Sequence, residues 1–236
     1  MGFEAGTPVL SRSAGRRMHG LRDCTGRAPG PTSSKNFLEQ VNDLADSRGM
    51  SEQEVVFRAD LPASAGEAFR WHARPGALER LTPPWEPVEL VSSDGSLEPG
   101  SRVHLRTRLG PIPQDWHAEH VELEEGVRFK DVQRSGPFAE WEHTHEFLPA
   151  GEDRCTLEDR IAYRLPLGTA GQVAAGTAVR RRLERLFAFR HRITARDLAR
   201  HSAYPSQAMQ ILVSGSSGLV GSALAPFLTT GGHSVI

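Results

Sequence analysis

The chain has 236 residues, of which 38% are hydrophobic and 24% charged, and this composition is typical of a globular protein with one or two domains. A formal net charge of −1 argues against binding to nucleic acid or to an anionic membrane over the whole surface, so we expect no nucleic-acid partner. Nowhere do about 18 apolar residues follow one another, so we expect no membrane span.

Residues 1–50 are rich in Gly, Ser, Pro and Arg and carry few apolar side chains. Such a segment buries too little to offset its ordering entropy. We therefore predict a disordered extension, or one that precedes a natural start at Met50. A short helix is predicted at 36–47, where one face carries Phe37, Leu38, Val41 and Leu44. Scattered arginines would allow a targeting segment, but neither a basic amphipathic helix nor a secretory apolar region accompanies them.

The sequence pattern of residues 54–201 predicts an α+β domain. A strand ending at Leu61 is followed by Ser64 and Glu67, the spacing of a capping box at the start of a helix. A long helix is predicted from Ala170 to His201. Between the two helices, turn signals recur at regular intervals and predict an antiparallel meander: Asp94-Gly95, Pro99-Gly100, Gly110-Pro111, Glu125-Gly126, Ser135-Gly136-Pro137 and Ala150-Gly151.

Alternation along three predicted strands indicates which side chains point inward. In 101–109 these are Val103, Leu105 and Leu109, with His104 on the charged surface. In 138–148 they are Ala139, Trp141, His143, His145 and Phe147. In 155–165 they are Cys155, Leu157, Asp159, Ile161, Tyr163 and Leu165, while Glu158 faces outward. A concave face with Trp, His, Tyr and Asp is too polar for a dry core and suits a cavity.

The long helix has an apolar stripe that includes Val179, Leu183, Leu186, Phe187, Phe189, Ile193 and Leu198. Its other face carries Arg180, Arg181, Arg182, Arg185, Arg190, Arg192, Arg196 and Arg200 against Glu184 and Asp197. We interpret this face as solvated. Docking to an acidic partner, or to the C-terminal part of the same chain, is the alternative.

The order of elements resembles the START-like helix-grip superfamily, also called SRPBCC, which includes polyketide cyclases and lipid or hormone carriers. The stretches 113–116, 136–143 and 159–168 resemble the SRPBCC module that precedes the epimerase half in some bacterial epimerase-like fusions. The resemblance implies a curved antiparallel sheet that grips a long C-terminal helix and encloses a cavity for an apolar small molecule. We expect the cavity lining to include Trp116, His120, Trp141, His143, His145, Asp159 and Tyr163.

His143 and His145 stand two residues apart on one strand, and Asp159, His120 or His117 can approach them. Such groups can hold a metal, transfer protons or serve as hydrogen-bonded lining. Because the spacing is not distinctive, we assign no catalytic residue and no metal ligand. Cys24 and Cys155 show no metal spacing either, which is typical of a reducing cytoplasm, and we expect a cytoplasmic protein.

After a linker at 202–208, residues 209–236 predict a strand at Ile211–Val213, a glycine-rich turn, a helix at Ser222–Thr230 and the start of a parallel strand. The turn reads Gly215, Ser216, Ser217, Gly218, Leu219, Val220 and Gly221. The first glycine suits a tight turn, the second a close approach of backbone to a pyrophosphate, and the third close packing of helix on strand. A generic strand–turn–helix is the alternative.

This glycine spacing resembles the extended short-chain dehydrogenase/reductase family, which includes nucleotide-sugar epimerases. The resemblance implies the first β–α–β part of a Rossmann domain, NAD or NADP as cofactor and a nucleotide-sugar-like substrate in a longer parent. The family's Tyr-x-x-x-Lys would follow Ile236, so we expect a truncated chain with an incomplete cofactor site, no tight dinucleotide binding and a loosely docked tail after about Pro205. A stand-alone binding protein for an apolar ligand is the alternative.

Overall fold

A computed structural model describes residues 52–109, 112–205 and 207–236, except the side chain of Leu109. These residues belong to one compact unit, and the predictions for residues 1–50 lie outside them. The elements in chain order are β1 (Glu52–Leu61), α1 (Ala65–Ala73), α2 (Ala77–Leu81), β2 (Glu89–Ser93), β3 (Arg102–Leu109), β4 (Ile112–Glu124), β5 (Arg128–Ser135), β6 (Glu140–Pro149), β7 (Cys155–Arg164), α3 (Gly168–Ala203), β8 (Gln210–Ile211), α4 (Gly221–Thr230) and β9 (Ser234–Val235).

Seven antiparallel strands form one curved sheet in the order β1-β7-β6-β5-β4-β3-β2. Strands β2 to β7 form a meander, as predicted. The last strand, β7, also pairs with the first strand, β1, so that Val55 lies opposite Ile161. At the start of α1, the Ser64 hydroxyl accepts a hydrogen bond from the Glu67 amide at 3.3 Å. In a full capping box, the Glu67 carboxylate would also accept a hydrogen bond from the backbone N–H of Ser64. Here it accepts hydrogen bonds from Arg70 and Arg74 instead.

Helix α3 crosses the concave face of the sheet, as the helix-grip prediction requires. Its fully buried Phe187 stacks on Phe57 of β1, with ring centroids 4.7 Å apart, and Leu183 and Leu198 are also buried. A second apolar cluster under α1 centres on Trp71 and Phe147. Among the described helices, none combines the length and apolar character that crossing a membrane requires.

Two carboxylates that were predicted to face solvent are buried. Asp197 of α3 is only 2% exposed and accepts two hydrogen bonds from Arg80, both at 2.7 Å. On the outer face of the sheet, Glu158 is covered by Arg58 and Arg160. Alternation treats every charge as exposed, whereas a paired charge can be buried. The structure therefore corrects the prediction at both positions.

The C-terminal residues form a β–α–β unit, in which β8 and β9 pair in parallel and α4 connects them. Strand β8 is shorter than the predicted strand, and α3 continues into the predicted linker as far as Ala203. The order strand, turn, helix and parallel strand agrees with the sequence analysis.

Helix α4 packs against α2 and the end of α3, in place of the loose docking expected from the sequence. Arg74 donates a hydrogen bond to the Thr230 carbonyl at 2.8 Å. The Phe227 ring stacks on His201 with ring centroids 4.6 Å apart, and the Arg80 guanidinium lies 5.7 Å from the Phe227 centroid. The expectation was wrong because it left out these aromatic and cationic partners on the first domain.

Candidate functional site

A cavity of about 710 Å³ lies between the concave face of the sheet, helix α3 and the turn that joins α1 to α2. This volume is within the range of small-molecule binding sites. Most of the lining is apolar and comes from β3, β4, α2 and α3, including Leu81, Val103, Leu105, Ala118, Val179, Leu183 and Leu186. The cavity is thus built from the inward positions that alternation and the helical stripe predict.

Five of the seven predicted lining residues border the cavity: Trp116, His120, Trp141, His143 and His145. Asp159 and Tyr163 are not among the described lining residues. Both lie on β7, where α3 covers the sheet: His191 of α3 reaches Asp159, and the Tyr163 ring packs on Phe138 and Trp141. The direction of their side chains was predicted correctly, but the position of the helix above them was not.

Three aromatic rings form one wall of the cavity. Trp116 meets Trp141 edge-on with ring centroids 5.2 Å apart, and Phe138 lies 4.8 Å from Trp141. The Trp116 indole nitrogen is buried and has no hydrogen-bond partner among the described residues. Because an unpaired buried donor costs free energy, this N–H is available to an acceptor on a ligand.

Strand register brings a row of polar side chains onto the cavity floor. His120 of β4 pairs with Asp131 of β5, and Asp131 pairs with His143 of β6. In the next row, His145 pairs with Asp159 of β7. The sequence analysis missed Asp131, although its alternation with the apolar Phe129 placed both on the inward face.

Asp159 does not line the cavity itself, but three histidines of this polar cluster contact it. Its Oδ1 accepts a hydrogen bond from His143 Nε2 at 3.0 Å, and its Oδ2 accepts one from His191 Nε2 at 2.6 Å. His145 Nδ1 lies 2.6 Å from Oδ1, but without the angle of a hydrogen bond. On its other side, His143 Nδ1 faces Asp131 Oδ2 at 3.5 Å.

Burial and the neighbouring charges together determine the pKa values of this cluster. Burial alone would lower the pKa of His143, but Asp131 and Asp159 raise it to about 9. For His145, burial and the neighbouring His143 lower the pKa to about 3. Burial would raise the pKa of Asp159, but His145, His143 and His191 hold it well below its ordinary value. At neutral pH the floor thus contains ionised carboxylates, a protonated His143 and a neutral His145.

Arg190 also lines the cavity, although its position on the basic face of α3 predicted a solvated side chain. Its Nε donates to the Leu81 carbonyl at 3.2 Å, and its guanidinium lies 5.3 Å from the Phe187 ring. Burial lowers the pKa of this guanidinium, while Asp159 and Asp131 act against the shift. A helical period cannot distinguish an arginine that points to solvent from one that snorkels along the helix into a cavity.

His117, one of the groups considered as a partner of His143 and His145, lies away from the cavity. It is exposed and stacks on His104 on the outer face of the sheet, with ring centroids 4.1 Å apart. His104 Nε2 lies 3.2 Å from Asp115. His120, two strand positions beyond Ala118, is the partner that the register supplies.

The glycine-rich turn before α4 is open to solvent from Gly215 to Val220. Gly215 has a φ of +76°, and a Cβ at Gly221 would lie 2.2 Å from the Gly215 carbonyl oxygen. A side chain at Gly218 would stand 3.3 Å from the same oxygen. The turn therefore requires glycine at its first and last positions, while binding of a pyrophosphate to it stays a prediction.

The sequence profile of a family described as polyketide cyclase / dehydrase and lipid transport matches residues 61–188. The chain belongs to this family. The part assigned to the polyketide cyclase family thus contains α1, the whole meander and the half of α3 that covers the cavity. It is a polyketide cyclase/dehydrase-like ligand-binding domain. Among curated proteins, none matches the chain.

Three solved structures with a similar fold can be compared with this chain. A nucleoside-diphosphate sugar epimerase from Corynebacterium glutamicum is 29% identical to this chain, with a TM-score of 0.62. The match covers 77% of this chain and 38% of that protein. Norcoclaurine synthase from Thalictrum flavum is 15% identical with a TM-score of 0.52, over 65% of this chain and 98% of that one. An aromatase/cyclase from a Streptomyces species is 13% identical with a TM-score of 0.52, over 64% and 96%. The last two share the fold alone, and this chain spans 38% of the epimerase's length.

Proposed function

We propose that the cavity binds one small, mainly apolar molecule that carries a polar group at one end. The observation that carries this proposal is the contrast between two sides of the cavity. The wall formed by Trp116, Phe138 and Trp141 offers flat apolar surface, while His120, Asp131 and His143 offer polar atoms on the floor. A ligand with matching ends gains from apolar burial and pairs the floor groups at the same time.

Unpaired polar atoms support a ligand with hydrogen-bonding groups. Trp116 Nε1 and His120 Nδ1 are buried without a partner among the described residues. Each would contribute free energy to binding when a ligand oxygen or hydroxyl pairs with it, because an unmet buried polar atom costs about 1–3 kcal/mol. A purely aliphatic molecule should therefore bind more weakly than an aromatic one that carries hydroxyl or carbonyl groups.

Tryptophan fluorescence tests this proposal with 1-anilinonaphthalene-8-sulfonate as the probe. Of the four tryptophans, Trp116 and Trp141 line the cavity, whereas Trp85 lies outside it. We expect energy transfer from tryptophan to the bound probe, a strong loss of this signal in Trp141→Phe and little change in Trp85→Phe. Equal loss in both variants, or no saturable signal, would contradict a ligand in the cavity.

A second proposal concerns residues 209–236: they begin the dinucleotide-binding half of an NAD(P)-dependent, nucleotide-sugar epimerase-like protein. It is supported by the parallel pair β8 and β9 around α4, by the exposed glycine turn and by similarity to the Corynebacterium protein. The backbone of 215–221 would hold the pyrophosphate of NAD or NADP, which supplies hydride-transfer chemistry when bound. The glycine-dependent turn geometry fits such a group.

Inorganic pyrophosphate tests the second proposal without a complete cofactor site. We expect weak binding, with amide chemical-shift changes in NMR spectra confined to 215–221 and absent in Gly221→Val. The matched control is Gly95→Val, at a turn glycine far from this loop in sequence. Shift changes spread along the arginines of α3 would indicate unspecific anion binding and would contradict the proposal.

A further inference from the structure

Three side chains on the cavity floor are arranged as metal ligands. Asp131, His143 and His145 each present one ligand atom, and these atoms all lie within 4.8 Å of one another. The 3.5 Å between His143 Nδ1 and Asp131 Oδ2 is long for a hydrogen bond. It is close to the separation of about 3.3 Å between two ligand atoms that bind one ion tetrahedrally at about 2.0–2.1 Å.

Asp159 supplies the supporting contact that metal-binding histidines usually have. His143 donates its Nε2–H to Asp159 Oδ1 at 3.0 Å, which directs Nδ1 toward Asp131. A carboxylate behind a ligating imidazole fixes the ring and increases its basicity. The other oxygen of Asp159 accepts from His191, so the carboxylate itself is held from two sides.

His120 provides an independent indication that the floor is built for a ligand. It is only 9% exposed, it lines the cavity beside its strand partner Asp131, and its Nδ1 has no partner among the described residues. A buried imidazole nitrogen without a partner would be satisfied by a polar group bound in the cavity.

We propose that Asp131, His143 and His145 bind one divalent transition-metal ion, with an open coordination position toward the cavity. Two imidazoles and a carboxylate suit Zn²⁺, Fe²⁺ or Co²⁺ better than the oxygen-seeking Ca²⁺ or Mg²⁺. On binding, the proton on His143 Nδ1 leaves to solvent and the nitrogen lone pair bonds to the metal. The open position would let the polar end of a cavity ligand reach the ion.

The surrounding charges are compatible with a cation. Two carboxylates face the site: Asp131 Oδ2 lies 3.5 Å from His143 Nδ1, and Asp159 Oδ1 lies 3.0 Å from His143 Nε2. Arg190 is the fixed cation that acts on both carboxylates, and it is anchored to the Leu81 carbonyl. His72 and His191 complete the titratable groups that pack on the cluster from α1 and α3.

Cobalt titration tests the site in the untagged chain after removal of metal with a chelator. We expect one equivalent of Co²⁺ to bind with visible d–d absorption, and one equivalent of Zn²⁺ to abolish that absorption. Elemental analysis after dialysis against Zn²⁺ should give close to one ion per chain. Binding of well under one equivalent without visible bands would overturn the proposal.

Variants locate the ion. Asp131→Asn should weaken Co²⁺ binding at least 10-fold, and Asp159→Asn should weaken it about 10–100-fold as a positioning residue. The matched control is the His104→Ala/His117→Ala pair on the outer face, which should bind Co²⁺ as the wild type does. If the control loses binding equally, or Asp131→Asn binds normally, the site is wrong. Circular dichroism establishes that each variant is folded, and the wild-type stoichiometry stays decisive if one is not.

The metal alone is the probe in these experiments, so they are independent of the proposed apolar ligand. A chain that binds the fluorescent probe but no Co²⁺ would refute only the metal site. One that binds Co²⁺ but no probe would refute only the apolar ligand.

Discussion

The two parts of the described chain differ in how they present a site. The cavity domain, residues 52–203, surrounds its candidate site with its own sheet and helix, and its aromatic side chains such as Trp71 and Phe187 are fully buried. The C-terminal segment, residues 207–236, has two strands of two residues each and exposes Leu212 and Leu219 at 80% and 92%. Polar groups can thus be held in fixed, desolvated positions in the first part, whereas the loop of the second is exposed to solvent.

If the cavity domain holds its polar groups in fixed, buried positions, the largest loss of stability should come from Asp159→Asn. This carboxylate binds His143 and His191 in a buried setting, and removing one partner of such a network costs about 3–5 kcal/mol. Urea denaturation should show this loss, while Asp153→Asn, at an exposed turn, should change the free energy of unfolding by less than about 0.5 kcal/mol. Equal stability of the two variants would contradict the central role of Asp159.

A pH effect should also arise in the cavity domain, at His72. Burial lowers its pKa from 6.5 to about 4, so the unfolded chain takes up a proton that the folded chain resists. The free energy of unfolding therefore does not depend on this group above about pH 6.5. It decreases by about 3 kcal/mol as the pH falls from 6.5 to about 4. His72→Leu should reduce this loss relative to the wild type in urea denaturation between pH 7 and pH 4. An unchanged slope would show that His72 does not titrate differently on folding.

The contact between the two parts can be measured at Gly76. Its φ is +90°, and a Cβ there would lie 2.5 Å from Thr229 Oγ1 and 2.7 Å from the Cα of Pro226 in α4. Gly76→Ala should therefore cost about 1–3 kcal/mol, through backbone strain and displacement of α4. Gly95→Ala is the matched control, because Gly95 also has positive φ (+69°) but nothing within 4 Å of a Cβ. The difference in thermal unfolding between the two variants isolates the contact with α4, and no difference would mean that α4 does not pack there.

The smallest effect should come from the glycine-rich turn. Leu219→Ser should change the free energy of unfolding by less than about 0.5 kcal/mol, because the side chain is solvent-exposed. Leu183→Ala in the cavity domain is the counterpart, with an expected cost of about 2–5 kcal/mol. A large loss for Leu219→Ser would show that the turn is covered in solution.

The sequence predicted the fold well where one physical rule dominated. Alternation placed Trp141, His143 and His145 on the concave face, because each strand has one buried side. The stripe of α3 identified Leu183, Phe187 and Leu198 for the same reason. These rules depend only on local periodicity, which a single sequence displays directly.

The same rules could not predict contacts between residues that are far apart in the sequence. The row formed by His120, Asp131 and His143 depends on the register of three strands, and bulges at positions 117–118 and 120–122 of β4 shift that register. The burial of Asp197 depends on Arg80, which lies more than a hundred residues earlier in the chain. Only a folded structure brings such partners together, and this is why the site was predicted less completely than the fold.

A cavity-filling pair of variants tests the ligand-binding cavity most directly. Ala118 lines the cavity, whereas Ala150 is exposed in the turn after β6. In titrations with 1-anilinonaphthalene-8-sulfonate, Ala118→Phe should weaken binding at least 10-fold, because the new ring occupies the space of the probe. Ala150→Phe should bind it as the wild type does. Unchanged affinity in a folded Ala118→Phe variant would place the ligand elsewhere and contradict the account.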